Sequence, residues 1–189
     1  MTIVFASNNL HKVEEVKNKL RMPILSLKDI KCFEEIPETG NTFEENAFIK
    51  ANHVYTKYKK DCFADDSGLV IEALDGEPGV YSARYAGEYG NGEANMDKVL
   101  LKMKNKSNRK AKFVTVICLI LKGETHYFRG EINGIITGQK MGSKGFGYDP
   151  IFLPDGSKKT FAEMSLDDKS HISHRALALR QMQLFLKGK

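Results

Sequence analysis

Two adjacent carboxylates interrupt an apolar run in the stretch Cys62-Phe63-Ala64-Asp65-Asp66-Ser67-Gly68-Leu69. A fold has to answer for them, because burying an uncompensated charge is costly. Cys62, Phe63 and Ala64 predict the end of a buried strand, and Ser67-Gly68 predicts a sharp bend after the acids. Two readings satisfy the pair. In one, Asp-Asp-Ser-Gly is an ordinary solvated turn. In the other the acids hold a cation, and the type that fits is Mg²⁺, a hard ion usually bound by one or two carboxylates plus substrate phosphates.

The chain before this stretch begins with Thr2–Ala6, a β-branched and aromatic run that predicts a buried strand. Ser7-Asn8-Asn9 follows, then a helical face of Leu10, Val13, Val16 and Leu20. A strand, a small polar turn and a helix start present free N–H groups and a positive dipole end to an anion. Lys12 in that first turn works against the dipole unless an anionic ligand offsets it. The same residues also read as a plain Ser/Asn cap beside a solvated lysine. Pro23 ends the helix, Ile24–Leu27 predicts a second strand, and Phe33 and Ile36 in the following connection are expected to tuck inward. Thr42-Phe43-Glu44-Glu45 is a capping box. It opens a long helix to about Tyr58 with an apolar stripe of Ala47, Phe48, Ala51, Val54, Tyr55 and Tyr58. Lys50 lies off that stripe and by itself reads as a surface lysine.

After the acids come a glycine-rich loop over Ala86–Gly92 and an amphipathic helix over Glu93–Met103. Lys104–Lys112 carries five basic residues, a pattern typical of a solvated connection. Phe113–Leu121 and Thr125–Thr137 bracket Lys122-Gly123-Glu124 and predict a hairpin, the first strand apolar on both faces. Gly138–Gly147 leads into Phe146-Gly147-Tyr148-Asp149-Pro150. Glycines beside an aromatic let a flat ring approach closely, and such a ring can stack on a nucleobase. The alternative is a Gly/Pro loop with two packed aromatics. Asp167–Arg175 is dense in hydrogen-bonding groups, with Ser173 as candidate cap for a last helix burying Leu179, Met182 and Leu186. His171 and His174 lack the context of a zinc site.

The totals narrow the class. The 189 residues suit one domain, of one or two lobes, and the formal net charge of +5 suits a polyanionic ligand such as a nucleotide. Cys32, Cys62 and Cys118 form neither a C-x-x-C motif nor a disulfide framework, which points to a reducing compartment. The longest apolar run, Phe113–Leu121, is too short to span a bilayer, and Met1–Phe5 does not resemble a signal peptide. The expectation is a soluble cytoplasmic protein with no membrane partner.

The ordered set of motifs resembles the inosine triphosphate pyrophosphatase family, in its bacterial dITP/XTP pyrophosphatase branch. It comprises Ser7–Lys12, Glu38-Thr39-Gly40, Thr42–Ala47, Lys50-Ala51, Ala64–Leu69, Pro78–Tyr85, Gly145–Pro150 and Ser173-His174-Arg175, and it covers nearly the whole chain. The resemblance implies an α/β fold: a long, mixed, twisted β-sheet flanked by helices in two lobes, with the active site in the cleft between them. It implies one domain over residues 1–189, and usually a homodimer. It implies Mg²⁺-dependent hydrolysis of ITP, dITP and XTP to monophosphate and pyrophosphate. By the same resemblance Ser7, Asn8, Asn9, Leu10, His11, Lys12 and Lys50 contact the triphosphate. Glu38, Asp66 and Asp65 hold the metal, Asp66 also accepts the proton of water, and Ser67 touches substrate. Phe146, Gly147, Tyr148, Asp149, Lys169, His174 and Arg175 take the base and sugar. His11 departs from the family, where Gly or Lys is common. Two rivals remain: a Maf-like nucleotide pyrophosphatase with another base preference, and a nucleic-acid-binding module built on the basic runs. Specific nucleic-acid binding is not expected.

Overall fold

The fold is seen in a computed structural model, which describes residues 2–20 and 22–188. Among the described residues six strands form one mixed sheet, in the spatial order Ile24–Ser26 (β2), Ile3–Phe5 (β1), Cys62–Ile71 (β3), Lys110–Leu121 (β4), Glu124–Ile136 (β5) and Phe152–Pro154 (β6). β1 (Ile3–Phe5) runs parallel to β2 (Ile24–Ser26) and to β3 (Cys62–Ile71). β4 (Lys110–Leu121) and β5 (Glu124–Ile136) are joined by Lys122 and Gly123, both at positive φ, as a tight two-residue hairpin requires. β6 (Phe152–Pro154) pairs antiparallel with β5. β4 is buried almost throughout, whereas outer β5 alternates exposed and buried residues over most of its length.

Among the described residues five α-helices accompany the sheet: α1 (Leu10–Lys19), α2 (Phe43–Tyr58), α3 (Gly92–Met103), α4 (Leu166–Ile172) and α5 (His174–Lys187). Thr42 caps α2 by accepting from the Glu45 N–H at 3.1 Å. The reciprocal arm of the box reaches one residue further back, Glu45 Oε2 accepting from the Asn41 N–H at 2.6 Å. Among the described residues no helix is long and apolar enough to cross a membrane.

The chain divides into two compact units. The first holds residues up to Asp66, Thr115–Gly130 and the chain from Arg175 onward. Its core joins Ile3, Phe5 and Phe63 to Val16 and Leu20 of α1, Ile117 and Leu119 of β4, and Leu179 and Met182 of α5. The Phe5 and Phe63 rings stack at 4.8 Å, which adds about 0.5–1.5 kcal/mol to their burial. The second unit holds Ser67–Val114 and Glu131–His174. It packs Leu69, Ile71, Met96, Val99, Met103, Phe113, Ile151, Phe152 and Phe161 together.

Several expectations change. β3 runs unbroken from Cys62 to Ile71, so Asp65-Asp66-Ser67-Gly68 is strand and not a turn. Lys50 is buried on α2 together with Asn46, Ala47, Ala51 and Val54, while Phe48 of the expected stripe is 37% exposed. Phe33 points to solvent, 75% exposed, with Cys32 beside it buried instead. α4 was not legible as a helix. It has seven residues, too few for an apolar stripe, and is held by a capping box of Ser165 and Asp168. The basic run over 104–112 is partly structural. Arg109 donates to the Thr137 carbonyl at 2.6 Å and also to those of Ile136 and Met103, and Lys112 pairs with Glu131 at 2.8 Å.

Gly134 sits where β5 and β6 approach closely. A Cβ there would lie 2.4 Å from the Leu153 carbonyl oxygen and 2.8 Å from the Phe152 ring. Backbone cannot yield as a flexible side chain does, so Gly134→Ala is expected to destabilise by about 1–3 kcal/mol. A lower urea midpoint at unchanged slope is the measurement that checks it.

Candidate active site

In the first unit, β1 delivers the chain to an exposed turn at the start of α1. Ser7 Oγ accepts from the Asn9 N–H at 3.2 Å, and Asn9 Oδ1 accepts from the Lys12 N–H at 3.1 Å. Asn8, Asn9, Leu10 and His11 are exposed, and the first helical turn holds no acid. A ten-residue helix thus presents its N-terminal dipole with no carboxylate of its own to compete with an anion. Lys12 turns back from this turn, its Nζ 3.2 Å from Asp65 Oδ2. Burial pulls the Lys12 ammonium below its ordinary range, and Asp65 opposes that pull.

The acid pair lies at the end of this unit's portion of β3, Asp65 being 1% and Asp66 5% exposed. Their compensation comes from several elements. Asp65 Oδ2 receives Arg175 Nε at 3.1 Å, the second guanidinium arm at 3.0 Å, and Lys12. Arg175 also pairs with Glu15. Burial works against the Arg175 charge, yet Asp65 and Glu15 together hold its pKa above the usual arginine range. Lys50 donates to Glu38 and to the Asp65 carbonyl at 2.7 Å, and its Nζ is 4.0 Å from Asp66 Oδ1. Burial alone would lower the Lys50 ammonium, but Asp66, Glu38 and Asp65 outweigh it and push it up. Asn46 Nδ2 donates to Asp66 Oδ2 at 3.0 Å, while its Oδ1 accepts the Gly40 N–H at 2.8 Å.

Burial raises Asp66 above the ordinary aspartate range, with Lys50 and Lys12 pulling the other way. Glu38 falls below its ordinary value because Lys50 outweighs burial. The Glu38 and Asp66 carboxylates thus converge on one ammonium. This is a set of hard oxygen donors with concentrated negative potential, and it fits a hard divalent cation. Asp65 is more heavily committed to Lys12 and Arg175.

In the second unit, which begins at Ser67, the Gly145–Pro150 segment folds around Asp149. Asp149 Oδ2 accepts the Phe146 N–H at 2.9 Å and Lys169 Nζ at 2.6 Å. Lys169 lies 4.9 Å from the centroid of the Phe146 ring, a cation–π contact. Gly145 has φ +72°, and a Cβ there would fall 2.1 Å from Asp149 Oδ2, so only glycine fits. Gly147 also has positive φ. Tyr148 donates its hydroxyl to the Ser82 carbonyl at 2.8 Å, and burial raises its phenol above the ordinary range. His174 stacks on Phe113 with ring centroids 4.6 Å apart.

The residues expected to handle phosphate and metal therefore gather in one unit, and Phe146, Asp149 and Lys169 gather in the other. Arg175, expected at the base, meets Asp65 and Glu15. Tyr148 and His174 commit part of their chemistry to packing. Two contributors were not anticipated. Asn46 lies one turn before Lys50 on the buried face, and Glu15 lies three residues after Lys12; polar residues at those spacings share a helical face.

The raised Asp66 carries a stability signature. Its folded pKa lies above the unfolded value of 3.8, so its contribution favours folding below pH 3.8 and is lost as pH rises through the folded pKa. Asp66→Asn removes that loss. In chelator, the variant's urea midpoint is expected to gain on the wild type between pH 4 and pH 7, and a constant difference would contradict this.

Comparisons with known proteins point one way. The chain is 53% identical to a dITP/XTP pyrophosphatase of Flavobacterium psychrophilum, each chain covered in full, and 49% identical to one of Porphyromonas gingivalis over 97% of this chain and 96% of that one. A solved structure of the Staphylococcus aureus Ham1 protein matches with a TM-score of 0.90 at 43% identity, covering 100% of this chain and 99% of that one. A HAM1 protein from Coxiella burnetii matches with the same TM-score at 36% identity, both chains covered in full. The profile of the Ham1 family matches residues 3–185, and the chain belongs to that family.

Proposed function

We propose that this chain hydrolyses deaminated purine nucleoside triphosphates, dITP, ITP and XTP, to the monophosphate and pyrophosphate, as one catalytic domain over residues 1–189 in the cytoplasm. The observation that carries the reading is the buried Asp65–Asp66 pair with its lysines, in a chain 53% identical to a dITP/XTP pyrophosphatase. The start of α1, with Ser7, Asn8, Asn9, Leu10 and His11, takes the triphosphate by backbone N–H groups and small polar side chains. Lys12 and Lys50 add positive charge where pyrophosphate leaves.

Glu38 and Asp66, with Asp65 beside them, would hold Mg²⁺. When bound, the ion neutralises charge on the phosphate oxygens and on the leaving pyrophosphate. Asp66 takes the proton of the attacking water. Asn46 fixes one of its oxygens and so holds the carboxylate in place for the transfer. Water adds to phosphorus at the α–β bridge, the bridging P–O bond breaks, and pyrophosphate departs.

Phe146 stacks on the base, and Lys169, oriented by Asp149, faces its 6-oxo group. Ammonium is donor-only. It matches the oxo group of hypoxanthine or xanthine and meets the amino group of adenine with another donor, a mismatch that discriminates strongly when buried. Ser67 and Gly147 touch the substrate, while Tyr148, His174 and Arg175 support the set through a hydrogen bond, a ring stack and an ion pair. In solution we place two copies in the active form, for which light scattering is the direct check.

Pyrophosphate release is the test. ITP, dITP and XTP are expected to turn over with Mg²⁺ and to stop with chelator, with ATP at least about 100-fold slower in kcat/KM. Asp66→Asn is expected to lose about 10²–10⁴-fold in kcat. Phe146→Ala is expected to raise KM for ITP by about tenfold or more, the worth of one base–aromatic stack. A preference for dTTP would overturn the base assignment while leaving the acid cluster standing. Absence of release from any nucleotide would overturn the activity.

A further inference from the structure

Away from the acid pair, the connection between β2 and α2 carries an arrangement of different chemistry. After the turn over Lys28–Ile30, Lys31 takes a left-handed conformation and the Cys32 N–H returns to the Leu27 carbonyl at 2.9 Å. Burial then alternates: Cys32 is in, Phe33 is out and Glu34 is half-buried. Cys32 and Glu34 thus face the same way, toward α2. There His53 Nε2 meets Glu34 Oε1 at 2.8 Å, and Lys57 Nζ and the Tyr58 hydroxyl reach the same oxygen at 2.6 and 3.1 Å. One donor atom each from Cys32, Glu34 and His53 lies within 4.8 Å of the others.

We propose that Cys32, Glu34 and His53 form a site for a thiophilic divalent cation of the Zn²⁺ type, distinct from the oxygen-lined acid pair. Thiolate, imidazole and carboxylate are the donors zinc takes, and three protein ligands leave the fourth tetrahedral position for water. With metal–ligand bonds of about 2.0–2.3 Å, tetrahedral donors stand roughly 3–4 Å apart, so modest inward movement of the side chains closes the site. His53 is 31% exposed in its side chain and gives the ion a way in. Lys57, 53% exposed, swings off Glu34 into water when the ion replaces its charge. Binding releases the Cys32 thiol proton to solvent and makes no other covalent change.

The placement gives the site a consequence. Glu34 precedes Glu38 by four residues on the connection, and His53 follows Lys50 by three on α2. An ion held by Cys32, Glu34 and His53 ties the segment carrying Glu38 to the helix carrying Asn46 and Lys50. It acts as a structural clip at a distance from the reacting groups.

Co²⁺ is the spectroscopic probe, added to the full-length protein with excess Mg²⁺ present to fill the oxygen-lined site. The expected result is a near-ultraviolet thiolate-to-cobalt charge-transfer band with tetrahedral visible absorption at one equivalent, abolished by Zn²⁺. Burial pushes the Cys62 and Cys118 thiols up to about 12, and neither belongs to the cluster with Glu34 and His53, so the band reports Cys32. Cys32→Ser is expected to lose the band. His53→Gln, on a partly exposed helix face, is expected to weaken Zn²⁺ binding by about tenfold or more and guards against a Cys32 variant that does not fold. Zn²⁺ is also expected to raise Tm by several degrees in wild type and not in His53→Gln. A spectrum without a thiolate band, or Zn²⁺ binding equal in wild type and His53→Gln, would overturn the site.

Discussion

The structure depends on neutralising two adjacent carboxylates inside a strand. A buried carboxylate that loses its partner costs about 3–5 kcal/mol, so each contact that answers Asp65 and Asp66 carries structural weight. Those contacts draw on α1 through Lys12, on α2 through Asn46 and Lys50, and on α5 through Arg175. Three helices far apart in the chain are thereby referred to one point on β3. The arrangement is weak evidence for stability in itself, since well-packed apolar residues serve stability as well or better. Its retention makes physical sense where charge is needed for chemistry.

Much of this was legible in the sequence, and the failures share one cause. Period-two and helical patterns located β1, the β4–β5 hairpin, α2 and α3, because each element buries one face and shows another. The acid pair was expected to precede a bend, since turn chemistry and buried-strand chemistry use the same letters and only the cations on other elements distinguish them. Lys50 was misplaced for the same reason: a lysine on an apolar face reads as an error until three carboxylates stand opposite it. Phe33 was expected inward on hydrophobicity, but a connection alternates, and the inward position went to Cys32. Of the site, the glycine pattern around Phe146 was readable as a close approach. That the group approaching Gly145 is the carboxylate of Asp149 was not.

The two units divide the chemistry by type. The first handles charge, with helix dipole, ammonium groups and carboxylates in fixed opposition. The second handles shape and donor pattern, with a ring, a lysine and an aspartate that orients it. On the proposed reading, charge groups tolerate a range of phosphate positions because their fields are long-ranged, whereas base choice would rest on contacts that fail over an ångström.

Asn46 couples two segments of the first unit. Its two ends serve different masters: the carbonyl holds Gly40 in the segment that bears Glu38, and the amide holds Asp66. A substitution in residues 38–41 therefore changes the background against which any substitution at Asp66 is judged, and the reverse holds as well. Residues sharing a partner in this way show non-additive effects. The two segments are therefore coupled through a single side-chain amide, and neither can be altered without changing what holds the other.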